Sequence, residues 1–137
     1  AGDYLVGVSS DCDVGCDIEK IIDAPFEIAE HYFNQSEIEY IESEADKNKA
    51  FFTLWTLKES YMKMTGMGMS LPLDSFEIIK TEKGFILGRS QEKHGFFKTI
   101  EFDEHIFSVC SEKENIEDLM QFCENCTTDV KKITLKL

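Results

Sequence analysis

The helical pattern over Lys47–Thr65 constrains the fold of this chain more than any other stretch. At 100° per residue its apolar side chains cover about half of the helix circumference. They form one stripe of Ala50, Leu54, Leu57, Tyr61 and Met64, widened by Phe51, Trp55 and Met62. Gly66 and Gly68 end the pattern, as glycines commonly do after a helix. A helix with so wide an apolar face must be covered on several sides, so we expect it to lie at the centre of the fold.

The elements predicted around this helix indicate an α+β protein. Before it we predict strands at residues 3–10 and 14–19, paired as a hairpin, and helices at 24–32 and 36–43, the second with Ser36 near its N-cap. After it we predict strands at 75–80, 85–88, 96–102 and 106–111, a short helix at 116–123 and a last strand at 130–137. Helices packed on an antiparallel sheet follow from this order. A length of 137 residues suits one domain.

Charge and cysteine usage exclude several classes of partner and site. The net charge of −13 disfavours nucleic acid and anionic lipid as partners. No apolar run is long enough for a membrane span and no signal pattern is seen, so we expect a cytoplasmic protein with no membrane partner. Five cysteines, with Cys123 and Cys126 as a lone C-x-x-C pair, indicate reduced thiols. His31, His94 and His105 lack metal-ligand spacing.

Two carboxylates share one side of the second predicted strand, VGCDIE at residues 14–19. Alternation places Val14, Cys16 and Ile18 on one face and Gly15, Asp17 and Glu19 on the other. Asp17 and Glu19 then lie about 7 Å apart along the strand, close enough to share a cation. Gly15 beside them would leave room for a ligand near the backbone. A half-exposed strand with a polar outer face is the alternative.

The central helix adds a third carboxylate and two lysines. Glu59 and Lys63 lie on its less apolar side, which carries too few charges for a fully solvated face. A plain i,i+4 ion pair between them is the simpler explanation. Lys58 projects from within the apolar arc, so its ammonium group must be paired or reach a cleft. Carboxylates with lysines nearby suit Mg²⁺, which binds a few carboxylates together with substrate phosphates.

These residues resemble the 4′-phosphopantetheinyl transferase superfamily, and its Sfp type in particular. That type carries a G-x-D-x-E strand and a W-[ST]-x-K-E-[AS]-x-x-K helix, followed by a glycine turn and an LPLDSF-like segment. VGCDIE at 14–19 and FFTLWTLKESYMKMTGMGMSLPLDSFEI at 51–78 match both motifs in order.

The resemblance implies a transferase and the residues of its active site. Such enzymes move the 4′-phosphopantetheine arm of coenzyme A to a serine of an acyl or peptidyl carrier protein and release adenosine 3′,5′-bisphosphate. The positions that match Asp17, Glu19 and Glu59 hold Mg²⁺. The match also implies that Glu59 activates the serine and that Lys63 contacts phosphate. Lys58 matches the lysine before the glutamate and is a candidate for binding coenzyme A or for a structural role.

The resemblance extends only to the second of the two similar halves of Sfp-type enzymes. We therefore expect the natural protein to be longer, with a first half that completes the coenzyme A site. Alternatively, copies of this chain form a homo-oligomer with shared sites, as single-half holo-acyl-carrier-protein synthases do. Because carrier proteins are acidic, we expect a locally basic docking face either on this chain or on the missing half. The candidates for such a patch are Lys80, Lys83, Arg89, Lys93 and Lys98.

Two other classes of function stay open. One is a non-catalytic half-domain that serves as an interaction module, against which the intact set of acidic and lysine residues argues. The other is an unrelated carboxylate–metal enzyme, such as a nucleotide hydrolase. Metal-dependent binding of coenzyme A separates the transferase from the first, and a release assay with simple nucleotides separates it from the second.

Overall fold

The computed structural model describes residues 4–9, 11–114, 120–123 and 131–136. The helices are α1 (Phe26–Tyr32), α2 (Gln35–Ser43) and α3 (Lys47–Thr65), with a 3₁₀ turn at Gly68–Ser70. The strands are β1 (Tyr4–Ser9), β2 (Val14–Lys20), β3 (Ile78–Thr81), β4 (Gly84–Leu87), β5 (Phe96–Phe102), β6 (His105–Ser111), β7 (Met120–Cys123) and β8 (Lys131–Lys136). Across these residues no helix combines the length and apolar character that crossing a membrane requires.

Helix α3 packs on one face of a five-stranded antiparallel sheet, which confirms the predicted α+β class. The strand order is β2-β6-β5-β4-β3. Leu54, Leu57 and Tyr61 of α3 are at most 1% exposed and lie in the main core. From the sheet, Ile106 and Cys110 of β6 complete this core. The wide apolar arc of the helix is therefore covered, as its sequence predicted.

The opposite face of the same sheet carries a second apolar cluster. Ile18 of β2 packs there with Phe107 and Val109 of β6, and Val14 and Cys16 lie against them. Alternation along β2 thus separates an apolar face from the face that carries Asp17 and Glu19. The prediction from the VGCDIE pattern is confirmed for this strand.

The predicted hairpin between the first two strands is wrong. β1 pairs in parallel with β8, in a three-stranded sheet of order β1-β8-β7. β2 pairs along its whole length with β6, from Val14 opposite Ser111 to Lys20 opposite His105. Turn residues between two strands predict a change of direction, but they do not determine which strand becomes the partner.

The helix predicted at residues 116–123 is wrong over 120–123. Those residues form strand β7, with Phe122 opposite Ile133 in the antiparallel register with β8. Backbone pairing with a strand distant in sequence here overrides a local helical pattern. Residues 116–119 of that prediction, and Cys126, lie outside the described residues.

The predicted C-terminal end of α3 is confirmed, and the predicted start of α2 is one residue too late. Gly66 ends α3 in the left-handed conformation at φ 75°, and its amide donates to the carbonyl of Lys63. Helix α2 begins one residue before the predicted start. Its N-cap is Asn34 in place of Ser36, and the Glu37 carboxylate accepts a hydrogen bond from the Asn34 amide at 3.1 Å.

Candidate active site

Strand β2 and the C-terminal half of α3 bring an aspartate and a lysine into contact across the helix–sheet interface. The Lys63 ammonium lies 2.9 Å from Asp17 Oδ1 and donates to the Cys16 carbonyl at 3.0 Å. The Asp17 side chain is only 12% exposed, whereas that of Lys63 is 49% exposed. Lys63 therefore pairs with the strand, and the simpler explanation of an ion pair with Glu59 is not the contact that forms.

Gly15 makes this close approach of strand and helix possible. A Cβ atom at this position would lie 2.1 Å from the Ser60 carbonyl oxygen and 2.5 Å from the Met64 amide nitrogen. Both are backbone atoms of α3, so neither can rotate away. The expectation that Gly15 leaves room for a ligand is wrong, because the backbone of α3 occupies that space.

Hydroxyl groups fix the rotation of α3 on the sheet. Thr56 and Ser60 are fully buried, and Thr56 Oγ1 lies 2.7 Å from Ser108 Oγ on β6. Ser108 in turn lies 3.1 Å from Thr99 Oγ1 on β5. The less apolar side of α3 is therefore a packed surface. Its low charge is explained by burial, and Glu59 and Lys63 lie towards the edge where α3 meets β2.

The three predicted carboxylates interact electrostatically. Burial raises the pKa of Asp17, and the hydrogen bond and charge of Lys63 oppose that rise. Burial, followed by the charge of Asp17, also raises the pKa of Glu19 and of Glu59. Burial lowers the pKa of Lys63, but the hydrogen bond and charge of Asp17 outweigh it and leave that pKa above its ordinary value. One lysine is thus surrounded by more negative charge than it neutralises.

One oxygen of Asp17 fits a hard divalent cation. Asp17 Oδ2 is buried and, within the described residues, receives no hydrogen bond. A buried carboxylate oxygen without a partner is costly, and a metal ion would satisfy it. No group of three or more His, Cys, Asp or Glu side chains in the described part of the chain forms a ready-made metal cage. Mg²⁺ does not require one, because it keeps water ligands and is commonly held by one or two carboxylates with substrate phosphates.

Lys58 lies apart from this group of carboxylates. Its side chain is fully buried, 2.9 Å from Glu37 Oε1, and it donates to the carbonyls of Leu73 and Phe76 at 2.7 and 3.0 Å. The ammonium also lies 4.2 Å from the centroid of the Phe76 ring. Burial lowers its pKa, and the charge of Glu37 opposes this effect. These contacts support the structural alternative for Lys58.

Glu37 is the important residue that the sequence patterns did not identify. It is 1% exposed on α2 and accepts hydrogen bonds from the Asn34 and Ile78 amides at 3.1 and 2.9 Å. A lysine inside an apolar arc was the available signal, since it requires a buried partner. Local spacing could not choose that partner among the 27 acidic residues of the chain.

The sequence matches a known family over most of its length. Residues 13–116 match the model of the 4′-phosphopantetheinyl transferase superfamily. A 4′-phosphopantetheinyl transferase of Aneurinibacillus migulanus is 32% identical over 85% of this chain and 51% of its own length. One of Bacillus pumilus is 34% identical over 97% of this chain and 60% of its own length. The chain thus spans about half the length of these curated relatives.

Solved structures share the fold. The holo-[acyl-carrier-protein] synthase of Thermotoga maritima has a TM-score of 0.66 at 14% identity, over 85% of this chain and 79% of that one. That of Helicobacter pylori, in complex with coenzyme A, has a TM-score of 0.60 at 19% identity, over 72% of this chain and 97% of that one. With the same fold as these enzymes and a family match that includes both carboxylate-bearing elements, the chain belongs to the 4′-phosphopantetheinyl transferase superfamily.

Proposed function

We propose that this domain transfers the 4′-phosphopantetheine group of coenzyme A to a serine of an acyl or peptidyl carrier protein. The serine oxygen bonds to the phosphorus that carries the pantetheine arm. The bond from that phosphorus to the bridging oxygen breaks, and adenosine 3′,5′-bisphosphate leaves. Coenzyme A is a substrate in this reaction, and the carrier protein is the partner.

The residues at the junction of β2 and α3 supply the groups that such a reaction needs. Asp17, Glu19 and Glu59 would hold Mg²⁺, which when bound supplies positive charge to the pyrophosphate. Glu59 is the candidate to accept the proton of the serine. Lys63, held beside the site by Asp17, places a cation where negative charge develops on the leaving group.

The contact between Asp17 and Lys63 is the observation that carries this proposal. It joins the two sequence motifs of the family in space, although the residues lie far apart in the chain. The family match covers both motifs. If Asp17 and Glu19 only formed the polar outer face of a strand, there would be no reason for Asp17 to pair with a lysine of the second motif.

Asp17→Asn is expected to abolish Mg²⁺-dependent binding of coenzyme A. The amide keeps the size of the side chain but removes the charge that would bind the metal and that now holds Lys63. Isothermal titration of coenzyme A, with Mg²⁺ and then with a chelator, measures the loss. Asp23→Asn is the matched control, since Asp23 is exposed and lies outside the site. Binding by the native chain that is insensitive to both Mg²⁺ and Asp17→Asn would contradict the proposal.

A single-half oligomer is the second candidate arrangement for the same activity. It is favoured by the match to 97% of the H. pylori synthase, whose whole chain is of single-half size. In that case the site forms between copies of this chain. Sedimentation equilibrium is expected to show a concentration-dependent oligomer whose formation accompanies coenzyme A binding. A monomer that binds coenzyme A with full Mg²⁺ dependence would contradict this arrangement.

A further inference from the structure

A cavity of about 510 Å³ lies beside the N-terminal half of α3. Its walls come from α2, α3 and strands β3 to β6. The lining side chains include Tyr40, Phe85, Lys49, Lys80, Lys83 and Lys98. None of the residues proposed for catalysis lines it. Lys49 and Glu59 are about 15 Å apart along the helix at the α-helical rise. The cavity is therefore a separate place on the molecule.

The charge of this cavity is opposite to that of the chain. Four of the 14 basic residues line it, although the chain as a whole carries a net charge of −13. Among the described lining residues Glu101 is the one carboxylate, and it is already paired with Lys49. Lys80 and Lys83 therefore give the cavity a local excess of positive charge, which favours anionic ligands although the chain as a whole is acidic.

The wall formed by β5 offers an open sheet edge. β5 pairs with β6 over its whole length, from Phe96 to Phe102. On its other side β4 meets it at a single position, Ile86 opposite Phe96. Beyond that pair, none of the described strands continues the ladder on this side of β5. Unpaired backbone groups at an edge can accept an added strand.

The lysines come from different elements around the cavity and are not gathered at one point. Lys49 is held by Glu101, and the Lys80 ammonium lies 4.9 Å from the centroid of the Phe85 ring. Lys83 stands exposed in the turn between β3 and β4. Tyr40 and Phe85 pack edge to face, with ring centroids 5.7 Å apart, and provide an aromatic wall. This distribution suits several carboxylates along an extended chain better than one phosphate group.

We propose that this cavity binds an extended, acidic segment of a partner protein, which adds to the open edge of β5. Carboxylates of the segment would meet Lys80 and Lys83, and its alternate apolar side chains would meet Tyr40 and Phe85. Of the basic patch expected from the sequence, only Lys80, Lys83 and Lys98 line this cavity. Arg89 instead donates to Asn34 Oδ1, and Lys93 is paired with Asp13.

The opposing explanation is that the lysines only protect the edge. Exposed edge strands often carry lysine because charge discourages aggregation. On that explanation the lysines would still attract an acidic peptide by charge alone, but the affinity would not depend on peptide amides that can bond to β5.

The test uses a short fluorescein-labelled peptide of alternating glutamate and valine, titrated into the 137-residue chain and followed by anisotropy. Binding is expected, and the double variant Lys80→Glu/Lys83→Glu should weaken it by about tenfold or more. Lys83→Glu alone should weaken it less, and it disturbs no packed side chain. The matched control Lys20→Glu/Lys113→Glu makes the same change of charge at exposed lysines away from the cavity and should leave the affinity unchanged.

A second peptide tests the sheet edge itself. The same sequence with alternate backbone amides methylated keeps every charge but cannot donate to a neighbouring strand, so it should bind more weakly. The proposal is overturned if the unmodified peptide does not bind, if both double variants weaken binding equally, or if methylation has no effect. Displacement of the peptide by inorganic phosphate, beyond that caused by chloride at equal ionic strength, would also overturn it.

Discussion

Gly15→Ala is expected to destabilise the fold more than a methyl group added at Gly88 or Gly95, two other glycines whose new Cβ would meet neighbouring atoms. The new Cβ would lie 2.1 Å from the Ser60 carbonyl oxygen and 2.5 Å from the Met64 amide nitrogen. To accept it, the backbones of β2 and α3 must separate, which disturbs the packing of both. Overpacking of this kind costs about 3 kcal/mol or more when rigid atoms are involved. Calorimetry should show a melting temperature lower by about 10 °C.

Gly88→Ala is the matched control for that experiment. Its Cβ would also meet a neighbour at 2.5 Å, but the neighbour is the Cδ1 atom of Ile79, a partly exposed side chain that can rotate. We expect its melting temperature to fall by no more than a few degrees. If the two variants melted alike, the backbone contact at Gly15 would not be the cause. Gly15→Ala should also weaken the Asp17–Lys63 pair, since both side chains lie at the interface that opens.

Local sequence patterns suffice to predict an element when the signal lies within that element. The bounds of α3 were predicted correctly because an apolar stripe and a terminal glycine are both encoded within the helix itself. The alternation in β2 was equally local, and it correctly placed Asp17 and Glu19 on one face. Both motifs of the candidate site are of this kind, which is why their spacing along the chain was enough to identify the candidate residues.

Partners distant in the chain could not be predicted in the same way. The hairpin assigned to β1 and β2 failed because the true partner of β1 is β8, at the other end of the chain. The prediction for Gly15 failed for a related reason. Because glycine has no side chain, either a ligand or a helix backbone can approach it closely. Only the position of Ser60 distinguishes these two possibilities.

The buried ion pair between Lys58 and Glu37 leads to the second large expected effect. Lys58→Met should destabilise the fold by about 3–5 kcal/mol, because it leaves the Glu37 carboxylate in the core without its cation. Both side chains are fully inaccessible to solvent, so water cannot replace the missing partner. Urea unfolding followed by circular dichroism measures the loss.

A double-mutant cycle separates the pair from the other contacts of these residues. Glu37→Gln alone should also destabilise the fold, since it leaves Lys58 charged in the core. The glutamine has one acceptor oxygen, so it cannot accept hydrogen bonds from the Asn34 and Ile78 amides through two separate oxygens as Glu37 does. Lys58→Met together with Glu37→Gln removes both charges. We therefore expect the double variant to be more stable than the sum of the single losses allows, with a coupling of about 2–3 kcal/mol. Additive losses would show that the ion pair itself contributes nothing.

The position of this pair connects stability to the proposed active site. Glu37 joins α2 to the start of β3, and Lys58 joins α3 to the segment between Leu73 and Phe76. These contacts fix the position of α3 at Lys58 and therefore also at Glu59, the next residue. Where the double variant is shown to be folded, Mg²⁺-dependent binding of coenzyme A should be retained. Loss of binding in a folded double variant would contradict a purely structural role for Lys58.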